Sequence, residues 1–443
     1  MASLRYFCSM FSTRILASLA FVLLVTISQA QFANVLLNQK PRPRVTKTEI
    51  DGDSVNYIDK QNNFSDRREH VTHSVWTEFA KFKSSNRHDS SVIMYSRIET
   101  AGKGWTPPVR ISAFAGDCSN SDSTLKSDVP CAGPGKDVYV CWAGPGGIYF
   151  QRSADLGNSW LQKEIYVAPL KNGWDQQVKF AHVTGIPRIA CVTDSSEYTG
   201  RIYICWSDEK NGITNKDVFL VYSDDKGESW TEPILVTYRP NHKEQFYPAI
   251  SIQPGTGSVF LTYFSTENYF EGNLYDLMLA ISKNGGLQYE YYRLNEKPLL
   301  LDSTIIPVRG LAFAPKSTDA RAIWSQTEAN NMLSLYSAMI TDSSITAYLE
   351  KEKKNEIQVE RSFAFAKKIP ITFITSTEGK LTVTVTKPLE PEKKEMVLFK
   401  DKLLTAGINA IVIDTKKSAL IKGNYILNFY FNNRHTFIWL LGE

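Results

Sequence analysis

Histidine is scarce in this chain, six in 443 residues, and neither a C-x-x-C motif nor a Cys/His cluster occurs, which excludes a zinc site of the usual spacing. His70 and His73 stand three apart at the start of a strand pattern, where i and i+3 point to opposite faces, so they do not read as joint ligands. No G-x-S-x-G turn is present. Gly133-Pro-Gly-Lys136 lacks the spacing and following helix of a phosphate loop and reads as a hairpin turn. No cofactor and no metal are therefore expected. Charge of one sign is also missing: 50 Lys and Arg face 46 Asp and Glu. That balance builds no basic field for nucleic acid.

Long apolar runs are confined to the first 30 residues. Arg5 and Arg14 precede residues 15–27 (ILASLAFVLLVTI), which lead into Ser28-Gln29-Ala30, a small-residue end of the kind a signal peptidase cuts. The run is shorter than the roughly 20 residues a spanning helix needs. Residues 1–30 are expected to be a signal peptide, giving a secreted or cell-surface protein with no transmembrane helix in the mature chain and the export machinery as a partner.

What is plentiful is aromatic: 9 Trp, 21 Tyr and 23 Phe, a composition that favours strands. Internal similarity organises them. Residues 138–160 (VYVCWAGPGGIYFQRSADLGNSW) and 202–230 (IYICWSDEKNGITNKDVFLVYSDDKGESW) share one plan: an alternating strand ending in Cys-Trp, a loop, a second strand, then S-x-D-x-G-x-S-W. Residues 259–289 repeat it with a degraded box, and 73–105 and 321–339 keep the strands but lose most of the box. Five copies at near-regular spacing predict radial repetition.

The segments Ser153-Ala-Asp155-Leu-Gly157-Asn-Ser-Trp160 and Ser223-Asp-Asp225-Lys-Gly227-Glu-Ser-Trp230 resemble the Asp-box of sialidases and other β-propellers. In such a box the Asp accepts backbone N–H groups in a tight turn, Gly supplies a left-handed conformation and Trp plugs the gap between sheets. The resemblance to the sialidase superfamily implies an all-β, sialidase-like β-propeller over residues 31–345, with six blades expected where five are visible. Residues 31–70 are the candidate for the sixth.

A charged linker at 346–360 leads to a different texture, with period-two strands at 369–375, 381–387, 396–399, 408–414, 425–431 and 436–441. Residues 361–443 are expected to form a small immunoglobulin-like β-sandwich. Leu404-Thr-Ala-Gly407 and Lys422-Gly423-Asn-Tyr425 resemble the C-terminal sorting domain of type IX secretion substrates, or a flagellar-hook-cap module. The usual basic tail is absent, and a plain accessory sandwich is the alternative.

Cysteine pairing follows from the repeat. Cys131 and Cys141, and Cys191 and Cys205, flank turns with near-symmetric arms, which predicts two in-blade disulfides with Cys118 left over. Five buried thiols are the alternative.

Topology places a ligand. The boxes lie between third and fourth strands, so the second-to-third loops and the inter-blade crossovers share the opposite face. Residues 114–126, 169–185, 208–216, 238–247 and 265–276 supply that face. Trp174, Tyr247 and Tyr269 beside Asp175, Glu244 and Arg239 have the composition of a sugar-binding surface, or else of rings packing the loops down. Aligning first strands on Cys131 and Cys191 puts Asp128 and Arg188 at one channel-lining position, and Arg309 joins them if one residue is inserted after Pro307. Arg188 and Arg309 would then clamp a carboxylate, as a sialidase does, or pair with Asp128 as structural bridges.

The family's catalytic set is not legible. Its Phe/Tyr-Arg-Ile-Pro opening is absent, and Tyr247 with Glu244 is the least unsuitable nucleophile pair, with Asp175 as a further acid. Three functions follow in order: a glycan or glycoprotein binder, of sialylated ligands if the clamp forms, without turnover; a divergent exo-α-sialidase or other glycoside hydrolase; and a non-enzymatic protein-interaction propeller.

Overall fold

A computed structural model of the chain describes residues 35–41, 55–99, 104–127, 130–170, 173–178, 181–210, 212, 215–237, 243–270, 273–300, 309–313, 317–327, 332–355, 357–359, 362–387 and 395–442. The expected signal peptide lies outside them. Among the described residues no helix is long and apolar enough to cross a membrane.

The protein is an all-β propeller followed by a β-sandwich. The propeller's described strands form five antiparallel blades built around four-strand meanders. The first comprises Val55–Asp66, Val71–Lys81, Ser91–Glu99 and Val109–Arg110. In the second, Val138–Gly144, Gly147–Ser153 and Ile165–Pro169 follow a first strand split into Lys126–Ser127 and Cys131–Ala132. The third contains Arg188–Cys191, Ile202–Asp208, Asp217–Ser223 and Ile234–Leu235, and the fourth Gln245–Ile252, Val259–Ser265, Leu274–Ser282 and Glu290–Arg293. The fifth joins Arg309–Phe313, Ala320–Thr327 and Met332–Ile340 to Val35–Pro41, which pairs antiparallel with Met332–Ile340. Residues 31–70 thus supply the outer strand of the last blade and the inner strand of the first. Among the described residues they build no sixth blade, and the strand from the chain start closes the ring.

Alternation explains why these strands read as continuously apolar. In the third blade Ile202, Ile204 and Trp206 enter the core shared with the second blade, while Tyr203 and Cys205 enter the core shared with the fourth. Both pleat faces are therefore dry, the condition under which a strand loses its polar side. The same division overturns the expected disulfides. Among the described residues no disulfide forms. Cys191 pairs with Ile202 across the ladder and Cys205 with Arg188, so the two cysteines sit in different inter-blade cores. Cys131 faces Tyr139, leaving Cys141 two positions along the strand. Directly opposed positions are needed for the short Cβ separation of a disulfide.

The S-x-D-x-G-x-S-W turns join blades. Asp155 Oδ1 accepts the Ser159 amide at 2.8 Å and Asp225 Oδ1 the Ser229 amide at 2.9 Å. Gly157 and Gly227 both have φ 85°, and a Cβ on either would strike Tyr95 or Phe150 of the preceding blade. Trp160 meets Tyr95 edge-on at 4.7 Å and Trp230 meets Phe150 at 5.2 Å. From the second blade Arg152 reaches over to the Lys226 carbonyl at 2.8 Å and Glu228 at 2.6 Å.

The segment expected as a linker begins as a helix, Asp342–Asn355, whose Tyr348 packs against Tyr292 of the fourth blade at 5.4 Å. Beyond it, Lys368–Thr375 and Gly407–Asp414 form one sheet with Gln358–Val359. Gly379–Thr386, Met396–Leu404, Tyr425–Phe431, Arg434–Leu441 and Ser362–Ala364 form the other, and the two share one apolar core.

Candidate functional site

The crossovers and second-to-third loops do meet on the face opposite the boxes, and they bring carboxylates together. Asp122 belongs to the crossover into the second blade. Its Oδ1 accepts the Asp175 amide at 2.9 Å, and burial, with Asp175 and Glu209 nearby, pushes its carboxyl above the usual carboxylate range. Asp175 opens an antiparallel hairpin, Asp175–Val178 with Ala181–Thr184, which follows the second blade in sequence and packs Val178 and Val183 with Phe246 and Tyr247 of the fourth. It faces solvent and meets His182 Nε2 at 2.6 Å.

Glu209 follows the Ile202–Asp208 strand, and Glu244 precedes Gln245–Ile252. Between them Lys216 is wholly buried, its Nζ 2.9 Å from Glu209 Oε1 and 3.6 Å from Glu244 Oε2. Glu244 Oε2 also accepts the Lys216 amide at 3.2 Å. Burial raises the Glu244 carboxyl to about 7 against the opposing pull of Lys216, which lies closer to Glu209. In a low-dielectric site one ammonium does not compensate two carboxylates equally. Among the described residues no group of three or more His, Cys, Asp or Glu is placed to hold a metal ion.

The expected aromatic surface is not there. Trp174, Tyr247 and Tyr269 are 4%, 2% and 6% exposed. Trp174 Nε1 donates to the Thr124 carbonyl at 3.1 Å, Tyr247 Oη to the His182 carbonyl at 3.1 Å, and Tyr269 Oη to Asp276 at 2.8 Å. Each ring buries its body and finds an acceptor for its polar tip, which is how such side chains pack loops down. The Tyr247 hydroxyl is engaged by the His182 carbonyl and Glu244 by Lys216. Tyr247 nonetheless sits at φ 55°, inside a register shift between Phe246 and Ala249.

The strand register does not put the two arginines of the expected clamp on one rung. Arg188 lies opposite Cys205 and Ala249 opposite Thr262, equivalent rungs of the third and fourth blades. On the corresponding rung of the fifth blade Gly310 faces Ile323, and Arg309 faces Trp324, one position away. Asp128 and Arg239 lie outside the described residues. Sequence reading missed Asp122, Glu209 and Lys216. The last two flank the loop already assigned to this face, in the run D-E-K-N-G-I-T-N-K, and charges crowding a channel-side turn were the available signal.

No family model matches the chain, and no curated protein matches it. Solved structures with a similar chain path include a NanB sialidase variant from Streptococcus pneumoniae, 11% identical, TM-score 0.42, covering 69% of this chain and 59% of that one. The chain thus spans under two thirds of that sialidase. An α-L-arabinanase from Penicillium chrysogenum is 10% identical with TM-score 0.43, covering 92% and 98%. An α-L-arabinofuranosidase from Fusarium graminearum is 11% identical with TM-score 0.38, covering 86% and 98%.

Proposed function

We propose that this chain is an exported glycan-recognising propeller that takes its ligand at the crossover face, above Asp122, Asp175, Glu209 and Glu244. The observation that carries this reading is the convergence of four carboxylates from four separate loops. Paired carboxylate oxygens accept hydrogen bonds from vicinal sugar hydroxyls, and charge-assisted bonds of that kind are the strong ones. With no clamp in register, a neutral sugar fits this face better than a sialylated one.

A second reading, glycoside hydrolysis, is favoured by Glu244 alone. A carboxyl held near 7 is about half protonated at neutral pH, so a fraction of the molecules can offer it as a general acid. The mature protein should be tested on an array of neutral and sialylated oligosaccharides beside a panel of fluorogenic glycosides. Binding without turnover supports the first reading. Turnover abolished by Glu244→Gln supports the second. Silence on both overturns the glycan assignment.

A further inference from the structure

We infer that the C-terminal sandwich is a built-in wall of the propeller's crossover face, latched by Lys243 and Glu395, rather than a detachable accessory. Lys243 immediately precedes Glu244. Its ammonium meets Glu395 Oε1 of the sandwich at 3.2 Å and donates to the Phe270 carbonyl at 3.1 Å, and both charged side chains are largely buried. Glu395 also accepts the Tyr430 hydroxyl at 2.8 Å, and the Lys243 ammonium stands 5.3 Å from the Tyr430 ring. Phe270 from the propeller loop and Tyr430 from the sandwich have ring centroids 5.9 Å apart. Nearby, the His435 amide donates to Asn268 Oδ1 at 3.2 Å, and Asn268 is itself oriented by Asp276 at 2.7 Å.

A buried ion pair is costly to form and costlier to leave half-made, so it fits a seam that stays closed. The seam has a direct line to the acid cluster. The Glu244 amide donates to Thr266 Oγ1 at 3.1 Å and the Thr266 amide to the Glu244 carbonyl at 3.0 Å. Whatever fixes the loop from Thr266 to Phe270 therefore fixes the backbone of Glu244. Lys243 acts as a positioning residue through that loop, and the inference holds whether or not the ligand is a glycan.

The test uses the full mature chain with a site-specific protease sequence inserted after Asn355. After cutting, propeller and sandwich should co-elute in gel filtration at physiological salt. Elution as two species overturns the proposal. In the uncut chain Glu395→Lys should speed hydrogen exchange of the Thr266 amide at least tenfold while amides of the second blade, such as Val140, stay unchanged. The charge-swapped pair Lys243→Glu with Glu395→Lys should restore most of that protection. Unchanged exchange in Glu395→Lys, or no recovery in the swap, also overturns it.

Discussion

Lys216 and Glu209 meet at 2.9 Å with 0% and 8% of their side chains exposed, and Glu244 closes on the same ammonium from the next crossover. The contact with Glu244 links the second-to-third loop of the third blade, which holds both Glu209 and Lys216, to the strand that opens the fourth. Removing the cation should leave two buried carboxyl groups without the ammonium they share. Lys216→Met is expected to lower unfolding free energy by about 3–5 kcal/mol, measured by denaturant melts at neutral pH. Glu244→Gln in the same background should recover part of the loss, and a Lys216→Met protein as stable as the parent would refute the triad.

Glu244 itself predicts a pH dependence. Its native carboxyl lies near 7, above its ordinary 4.5, so between those values the native state holds a proton that the unfolded chain has released. Stability from this group is present at low pH and falls as pH rises from about 4.5 to 7. Glu244→Gln should flatten that part of the profile by an amount on the order of 1–3 kcal/mol, read from melts across the range. An unchanged profile would show that another group carries the proton.

Asp155 and Asp225 predict the opposite sign. Burial alone would raise them, but bonds from Ser159 and Ser153, and from Ser229 and Ser223, hold both carboxyls near 2. The stability they supply is present above about 4 and disappears as pH falls toward 2. Asp155→Ala and Asp225→Ala should each destabilise the propeller by about 1 kcal/mol, discounted for exposure, and leave ligand binding intact. Loss of binding at an unchanged melting temperature would place these turns at the ligand.

Much of the architecture was legible because a propeller strand declares itself twice, by its alternation and by its repeat. Tyr425–Phe431 and the Cys-Trp strands needed no tertiary information. The five visible repeats match the five blades of the described residues, and the place of residues 31–70 was not legible because Val35–Pro41 carries no box and pairs with a strand nearly 300 residues away. The disulfides failed because symmetric arms fix a hairpin only if the turn is centred, and Cys131 opposite Tyr139 shows that it is not. The site was half legible. Topology brought the loops of the acid cluster to one face, but an aromatic side chain's exposure depends on neighbours that the sequence does not order, and Trp174 found Thr124.

The corrected register makes a covalent prediction. A non-reduced digest of the protein should contain neither Cys131–Cys141 nor Cys191–Cys205 peptides. The second link would require cysteines from two different inter-blade cores to meet, which strand geometry forbids without breaking the ladder. Either peptide in the mass spectrum would mean the ladder between Arg188–Cys191 and Ile202–Asp208 is set differently.

Asp175 is the carboxylate of the cluster most open to a ligand, 35% exposed, with His182 at 2.6 Å on the adjoining strand of the hairpin. Because both face solvent, they contribute little to folding, and surface pairs of this kind are worth about 0–1 kcal/mol. Their value lies in presenting a fixed acceptor beside a ring nitrogen. If a sugar binds here, Asp175→Asn should remove one charge-assisted bond worth about 1.5–3 kcal/mol, a loss of roughly ten- to a hundredfold in affinity, with the melting temperature unchanged. Arg188→Ala should not distinguish sialylated from desialylated forms of the same glycan, since among the described residues Arg309 stands one rung away from it. Titration of both variants against both forms decides the matter: a selective loss of the sialylated form in Arg188→Ala would restore the clamp, and intact binding in Asp175→Asn would move the ligand off this face.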